Sequence, residues 1–230
     1  MSEACSNFHF PVPEILENAL VKLVPFIIAE HAETFFSGLE DSLFAYLPWG
    51  PYATTEDYVN GLIETRVRPD PGMLLFAVFD KASGALAGTI GLLDTSPVNL
   101  STEVAWIITL PAFQRTYVTS NATGLLLHWV LDAPAQGGLG LRRVNWKATT
   151  ANKASVGVAE RMGFRMEGVA RWDRVLPEWK TVENGGNGIT LREGDRRPNC
   201  IGIDVVSLGL CWDEWEDGGR DLVDKVMSRR

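Results

Sequence analysis

The sequence predicts an α/β protein, built on one mixed sheet of α+β type with helices packed against it. The first observation is a pair of apolar runs, residues 73–79 and 85–93, joined by a short polar turn that ends at Gly84, which indicates an antiparallel hairpin. The second is the succession of a strand, a strongly apolar helix and another strand between residues 102 and 149, which is the pattern of a crossover between parallel strands. Both kinds of strand pairing are therefore expected in one sheet.

The remaining elements follow from local patterns. Residues 20–28 are β-branched and apolar and include Pro25, which favours an edge or irregular strand. Thr54 and Thr55, followed by two acids, open a helix with cap hydroxyls and first-turn carboxylates. In all we expect seven strands, at 20–28, 73–79, 85–93, 102–109, 142–149, 164–176 and 201–212. We expect four helices before the C-terminal tail, at 31–39, 54–66, 120–131 and 152–162.

No linker, repeat or low-complexity segment divides the 230 residues, so we expect one domain over residues 1–230. A stretch rich in Gly, Asn and charge, residues 177–199, is inserted between the last two strands. We expect this insert to be a lid or half of a homodimer contact, unless it is a plain surface loop. A charged tail, residues 213–230, follows the last strand and is expected to end in a short helix.

Composition excludes several classes of function. The chain carries 21 basic and 29 acidic residues, a net charge of −8, which disfavours nucleic acid and anionic membranes as partners. The three cysteines have no CxxC spacing and the histidines no ligand spacing, so neither a disulfide framework nor a metal site is predicted. No signal peptide and no membrane-spanning run of about 18–20 apolar residues is present, and we expect a cytoplasmic protein.

The junction between the strand at 102–109 and the helix from Ser120 is the first candidate site. It ends in hydroxyl and amide side chains, where the free N–H groups and the dipole of a helix favour an anion such as a diphosphate. The alternative is a plain connection in which Thr119, Ser120 or Asn121 caps the helix.

A second stretch, Asn152 to Ser155 (NKAS), opens the next helix, which closes on residues 161–164 (RMGF). Together with TEVAWIIT at 102–109 and FQRTYVTSNA at 113–122, this ordered set resembles the GNAT superfamily of acyl-CoA-dependent N-acetyltransferases, in particular the Rim-type branch of ribosomal-protein acetyltransferases. The resemblance covers about residues 20–215. It implies a mostly antiparallel sheet of about seven strands with a V-shaped splay, and acetyl-CoA as co-substrate without a metal.

The resemblance also implies where the cofactor lies. Backbone amides of the turn from Gln114 to Thr119 bind the pyrophosphate in the family. Here Tyr117 and Thr119 replace two small residues, so either Arg115 compensates with a phosphate contact or the site is disabled. Backbone groups of the preceding strand face the cofactor arm, and Asn152 meets it. The implied cofactor-binding residues are Ile107, Ile108, Thr109, Gln114, Arg115, Thr116, Tyr117, Val118, Thr119, Ser120, Asn121, Asn152, Lys153 and Ser155.

The same resemblance suggests catalytic roles. Glu103 matches the base that takes the amine's proton through water, unless it is a solvent-facing carboxylate; Asp94 is the reserve base. Ala159 stands where many members carry a tyrosine acid, so Ser155 is the candidate to protonate the thiolate, unless it only caps its helix. Trp49 and Trp106 line an acceptor pocket with Asp94, although core packing alone also explains both tryptophans.

The predicted function is acetyl transfer from acetyl-CoA to a primary amine by direct attack in a ternary complex. The acceptor is a small-molecule amine or xenobiotic, or else a peptide N-terminus. The alternative from another class is a non-catalytic acyl-CoA-binding or sensor domain, which the unusual residues at Tyr117, Thr119 and Ala159 suggest.

Overall fold

The computed structural model describes residues 7–229; residues 1–6 and 230 of the predicted domain lie outside it. The strands are β1 (Leu16–Glu17), β2 (Val21–Pro25), β3 (Leu74–Asp80), β4 (Leu86–Ser96), β5 (Ser101–Thr109), β6 (Arg143–Thr149), β7 (Arg165–Val175) and β8 (Gly202–Cys211). The α-helices are α1 (Ile28–Ser37), α2 (Thr55–Tyr58), α3 (Val118–Leu131), α4 (Lys153–Arg161), α5 (Trp212–Glu214) and α6 (Arg220–Met227). π-Helical turns continue two of them, at Val59–Val67 and Trp215–Gly219, and short 3₁₀ turns form at Asp41–Phe44, Pro111–Phe113, Pro134–Gln136 and Val182–Asn184.

The described residues form one sheet of eight strands in the order β1-β2-β3-β4-β5-β6-β8-β7. All pairs are antiparallel except β5 and β6, which are parallel and joined by the crossover through α3. The predicted mixed α/β class, the hairpin of β3 and β4, and the seven expected strands are confirmed.

Residues 20–28 are expected to form an edge or irregular strand, and of these two alternatives the edge position is wrong. The two residues of β1 pair with β2, with Leu16 opposite Leu23, so β2 is the second strand of the sheet. Pro25 is the last residue of β2, opposite Phe76, where its missing N–H interrupts little of the ladder. A two-residue strand carries too short a pattern to be found by alternation.

Helices cover both faces of the sheet. On β3, Leu74, Phe76 and Val78 point into the core under α3, α4 and α6, whereas Leu75 and Ala77 point into the core under α1 and α2. This alternation is the period of two that a strand buried on both faces shows. The expected burial of the apolar helix is confirmed, because Leu126 and Leu127 of α3 are fully buried.

The sheet opens between its two parallel strands. β5 and β6 pair only from Ser101 opposite Arg143 to Glu103 opposite Asn145, and then diverge. On its other edge β5 bulges against β4, with two residues, Trp106 and Ile107, opposite one, and Trp106 takes a positive φ of 57°. The V-shaped splay implied by the resemblance is confirmed, and its apex lies at Glu103.

The insert at 177–199 packs on the segment that follows α1. The indole N–H of Trp179 donates to the carbonyl of Gly50 at 3.2 Å, and the buried ammonium of Lys180 donates to the carbonyl of Phe44 at 2.7 Å. Insert and segment are therefore held together within one chain. Within residues 7–229, no helix combines the length and apolar character needed to cross a bilayer.

Candidate active site

A cleft of about 1270 Å³ occupies the opening between β5 and β6. Its walls are residues 103–109 of β5 and residues 146–149 of β6. One end is formed by the turn before α3 and by the first turn of α4, and the other end by residues 42–49, 65–73 and Asp94. The two sequence stretches singled out for their chemistry thus meet at one end of one cleft.

The start of α3 is an open helix N-terminus. The helix begins at Val118 with Tyr117 as its N-cap, whose side chain makes no capping hydrogen bond. The N–H of Val118 donates to the hydroxyl oxygen of Thr116 at 3.3 Å, which leaves the N–H groups of Thr119 and Ser120 at the helix end. Its own hydrogen bonds begin with the N–H of Asn121, which donates to the carbonyl of Tyr117 at 3.0 Å. Earlier N–H groups of a helix have no intrahelical acceptor. The capping alternative is therefore wrong for Thr119, Ser120 and Asn121, and the helix end is available to an anion.

The unusual residues of the turn are accommodated without glycine. Tyr117 has right-handed helical angles, φ −69° and ψ −14°, and the left-handed conformation falls on Arg115, with φ 60°. The phenol of Tyr117 donates to Oδ1 of Asp80 at 2.6 Å. A tyrosine is tolerated because its ring is anchored to the end of β3, outside the cleft wall.

Four of the implied cofactor residues have side chains outside the cleft wall: Tyr117, Val118, Asn121 and Lys153. Val118 is buried in the core, and the fully buried Asn121 accepts from Nδ2 of Asn18 at 2.6 Å and donates to the carbonyl of Tyr117 at 2.9 Å. Lys153 is exposed on α4. The side chains of Tyr117, Val118 and Asn121 fix the start of α3, and the predicted contact of this turn with the cofactor is one of backbone amides, so the assignment of these four residues to cofactor binding stays a prediction.

The other turn residues line the cleft and tie β5 to α3. The amide Nε2 of Gln114 donates to the carbonyl of Thr109 at 3.2 Å, and the hydroxyls of Thr109 and Thr119 are 2.7 Å apart. Thr116 donates its hydroxyl proton to the carbonyl of Phe113 at 2.6 Å. Gln114 and the threonines thus organise the turn, while Arg115 is exposed and lines the cleft.

Asn152 and Ser155 stand at the first turn of α4, and both line the cleft. The cap is Asn152, whose Oδ1 accepts from the N–H of Ser155 at 3.1 Å. The hydroxyl oxygen of Ser155 accepts from Nε1 of Trp146 at 3.0 Å. The alternative that Ser155 merely caps its helix is wrong, because its hydroxyl bonds to a tryptophan on β6.

Glu103 is buried in the cleft wall, 5% exposed, so the solvent-facing alternative is wrong. Its Oε2 lies 3.0 Å from Nζ of Lys147 on β6. Burial raises the pKa of the Glu103 carboxyl above its usual value, Lys147 opposes that rise, and the charge of Asp94 adds to it. A buried carboxylate whose pKa is raised is a better base for an ammonium proton than an exposed one.

The end of the cleft at residues 42–49 is aromatic. The rings of Trp49 and Trp106 are 5.8 Å apart and both line it, and Phe44 packs edge-on against Trp49 at 5.6 Å. Asp94 is exposed at the same end, with φ 51°. The three residues expected at an acceptor pocket, Trp49, Asp94 and Trp106, thus lie around one space.

Sequence reasoning missed Lys147, Thr149, Arg161 and Arg174 as cleft residues. A signal for two of them was present in β6, where Asn145, Lys147 and Thr149 alternate with apolar neighbours. Arg161, the last residue of α4, also lines the cleft. In the part of the chain that the structure describes, no three potential metal-ligating side chains cluster.

Comparison with known proteins agrees with this geometry. Residues 21–165 match the family model described as "Acetyltransferase (GNAT) domain". A crystal structure of a GCN5-related N-acetyltransferase from Brucella melitensis is 26% identical, with a TM-score of 0.75, over 95% of this chain and 87% of that one. A search of curated protein sequences gives no significant match.

Two more distant structures share the fold. Spermidine N-acetyltransferase from Vibrio cholerae, solved with CoA and spermine, is 18% identical, with a TM-score of 0.60, over 86% of this chain and 99% of that one. A ribosomal L7/L12 alpha-N-protein acetyltransferase, solved with CoA, is 20% identical, with a TM-score of 0.63, over 87% and 99%. At sequence identities of 18% and 20%, these two structures show only that the fold is shared.

Proposed function

The chain belongs to the GNAT acetyltransferase family, and on this premise we propose that it transfers the acetyl group of acetyl-CoA to the primary amine of a small-molecule or xenobiotic acceptor. The observation that carries the proposal is one continuous cleft with an open helix N-terminus at one end and a buried carboxylate, Glu103, in its wall. The reaction requires the protein to bind the anionic phosphates of the cofactor and to remove a proton from the acceptor ammonium.

The residues present fit the cofactor. The open N-terminus of α3 offers N–H donors to a diphosphate, and the neighbouring Arg115 adds positive charge; Arg161 is a second arginine of the cleft wall. The arm would pass between the diverging strands toward Asn152 and Ser155, where β5 beyond Glu103 has no paired neighbour on its β6 side within the described residues. Bound acetyl-CoA supplies the activated thioester.

Proton transfers are assigned to two side chains. The acceptor reaches the site as an ammonium, and Glu103 takes its proton through a water molecule, so that the amine nitrogen has a free electron pair for the acyl carbon. As the carbon–sulfur bond breaks, Ser155 gives its hydroxyl proton to the sulfur, directly or through a water molecule. The second proton of the amine nitrogen then restores the serine hydroxyl, so that the products are the neutral amide and the free thiol. Trp146 supports this role because it occupies the hydroxyl oxygen as a donor and leaves the hydroxyl proton to the substrate.

The acceptor end favours an alkylammonium group. The faces of Trp49 and Trp106 attract a cation, and Asp94 adds a carboxylate. A peptide N-terminus is the second candidate, and it rests on the sequence motifs that resemble the Rim-type branch. Membership of that branch, a single domain, a homodimer and a cytoplasmic location stay predictions. The non-catalytic sensor alternative has no support from the comparisons.

The test measures binding first and turnover second. Acetyl-CoA at 100 times its Kd is expected to stabilise the protein by about 2.7 kcal/mol, or about 5–10 °C in Tm. Thiol release is then followed against polyamines, amino acids, amine drugs and peptides with free N-termini. Stabilisation together with turnover of a small amine supports the proposal; turnover of peptides alone favours the second candidate, and binding without any turnover contradicts both.

A further inference from the structure

We propose that Lys147 is a positioning residue for the base, and that it holds the Glu103 side chain at the apex of the opening between β5 and β6 as a carboxylate ready to accept a proton. This inference rests on the proposed function, because it concerns the same carboxylate. Lys147 belongs to none of the family motifs quoted above, and its place follows from the register of the sheet.

The register explains why this lysine reaches Glu103. Glu103 is the last residue of β5 that pairs with β6, where it lies opposite Asn145. Lys147 is two residues further along β6, so its side chain lies on the same face as that of Asn145. Asn145 is already engaged, since it accepts from Nε of Arg143 at 2.7 Å and donates to the carbonyl of Thr102 at 3.3 Å. Lys147 is therefore the side chain that reaches back across the opening.

The charges that face Glu103 come from three strands. Lys147 of β6 is at ion-pair distance, Asp94 of β4 repels the carboxylate, and Arg174 of β7 attracts it from further away. Arg174 is itself paired with Asp173 at 3.0 Å, which weakens its effect on Glu103. Among these neighbours Lys147 is the group that decides whether the buried carboxyl stays ionised.

The ion pair also fixes the geometry of the carboxylate. Lys147 contacts Oε2, so in the proposed reaction Oε1 is the oxygen that accepts the proton. Burial by itself favours the protonated acid, and a protonated Glu103 cannot accept the proton of an ammonium. Lys147 thus keeps the base functional at a pH at which a buried carboxyl without a partner is already protonated.

The test compares Lys147→Met with Lys147→Arg. The titration of Glu103 is measured by carboxyl ¹³C NMR, with the signal assigned through Glu103→Gln, and kcat/KM is measured against pH with one acceptor for all variants. Because every variant is assayed with the same acceptor, the ionisation of that acceptor affects all the pH profiles equally. Lys147→Met is expected to move the pKa of Glu103 and the acid limb of kcat/KM upward together by about one to two pH units. Lys147→Arg, which keeps the charge, is expected to keep the wild-type profile.

The Lys147 side chain is 37% exposed, so the variants are expected to fold, and Tm is recorded for each. Lys147→Gln serves as a second neutral variant, with an upward shift expected as for Met, and Lys225→Met, at an exposed lysine of α6, is the matched control with no shift. An equal loss of kcat/KM at every pH, or an unmoved acid limb, overturns the inference. Wild-type protein without turnover is a different result, because it contradicts the proposed function itself.

Discussion

Trp146 donates its indole N–H to the hydroxyl oxygen of Ser155 at 3.0 Å, and this bond joins β6 to the first turn of α4 beside the opening of the sheet. Trp146 is almost fully buried, so the bond satisfies a donor that has no access to water. The same bond orients the serine. One contact therefore serves both the packing of α4 and the proposed proton donor, and the two contributions can be separated experimentally.

Ser155→Ala is expected to lower kcat by about 10²-fold, the size of effect of a lost general acid. The Kd for acetyl-CoA, measured by calorimetry, is expected to change by less than about threefold, since the lost group acts on the departing sulfur. The orphaned indole N–H is expected to lower the free energy of unfolding by about 1–3 kcal/mol. Ser228→Ala, at the exposed end of the chain, is the matched control; an unchanged kcat in Ser155→Ala contradicts the assigned role.

Glu103→Gln is expected to reduce kcat/KM at least about 10²-fold at neutral pH and to remove the acid limb of its pH profile. The limb disappears because activity requires the ionised carboxylate, and burial places its pKa above the usual value. Asp94→Asn tests the reserve base. An exposed charge is expected to change kcat/KM by only about threefold. Both variants are measured from pH 5 to 9. A larger loss of kcat/KM in Asp94→Asn than in Glu103→Gln would mean that Asp94 is the base and Glu103 is not.

Arg115→Ala is expected to raise the Kd for acetyl-CoA about 10-fold at low ionic strength, because a charge-assisted contact to phosphate is lost. The difference from wild type is expected to shrink in 0.5 M salt, since the arginine is exposed and screened. Arg142→Ala, also exposed but outside the cleft wall, is the matched control. The Kd for acetyl-CoA is measured by calorimetry at both salt concentrations. If wild type and Arg115→Ala have equal Kd values, Arg115 does not contact the phosphates.

The sequence predicted the regular elements well because each carried several residues of a clear period. The motifs predicted β5 and the two ends of α4. Asn152 is found as the N-cap of α4, and Gly163 follows that helix with a positive φ of 89°, which glycine adopts easily. What the sequence did not predict depends on contacts between distant residues. The anchoring of Tyr117 to Asp80 spans 37 positions, and the pairing of Lys147 with Glu103 exists only because β5 and β6 are neighbours.

Capping is a further example of what local sequence leaves open. Thr119, Ser120 and Asn121 all have side chains that cap helices, yet α3 begins two residues earlier than expected, at Val118, and none of the three caps it. The reason is tertiary: the Thr119 hydroxyl bonds to Thr109, and Asn121 is buried against Asn18. The capping propensity of these side chains favoured a plain connection between β5 and α3. The tertiary contacts engage Thr119 and Asn121 elsewhere, so the prediction from propensity is wrong.

Tyr117→Phe tests that anchoring through stability. The hydroxyls of Ser83 and Tyr117 donate to Asp80 and hold the pKa of its carboxyl below its usual value. A carboxyl with a depressed folded-state pKa contributes stability above its unfolded pKa of about 3.9, and that contribution is lost as the pH falls through the folded-state pKa. Tyr117→Phe is therefore expected to lower the free energy of unfolding by about 1 kcal/mol at pH 7 and by progressively less below pH 4.

The measurement is urea denaturation at a series of pH values, with calorimetric titration of acetyl-CoA at pH 7. Because the phenol lies outside the cleft wall, the variant is expected to keep its affinity for acetyl-CoA within about twofold, even though the residue falls inside the motif that resembles a pyrophosphate signature. Ser83→Ala removes the other hydroxyl and is expected to show the same dependence on pH. A large loss of affinity in Tyr117→Phe without loss of stability means that the phenol contacts the cofactor and that its anchoring to Asp80 is secondary.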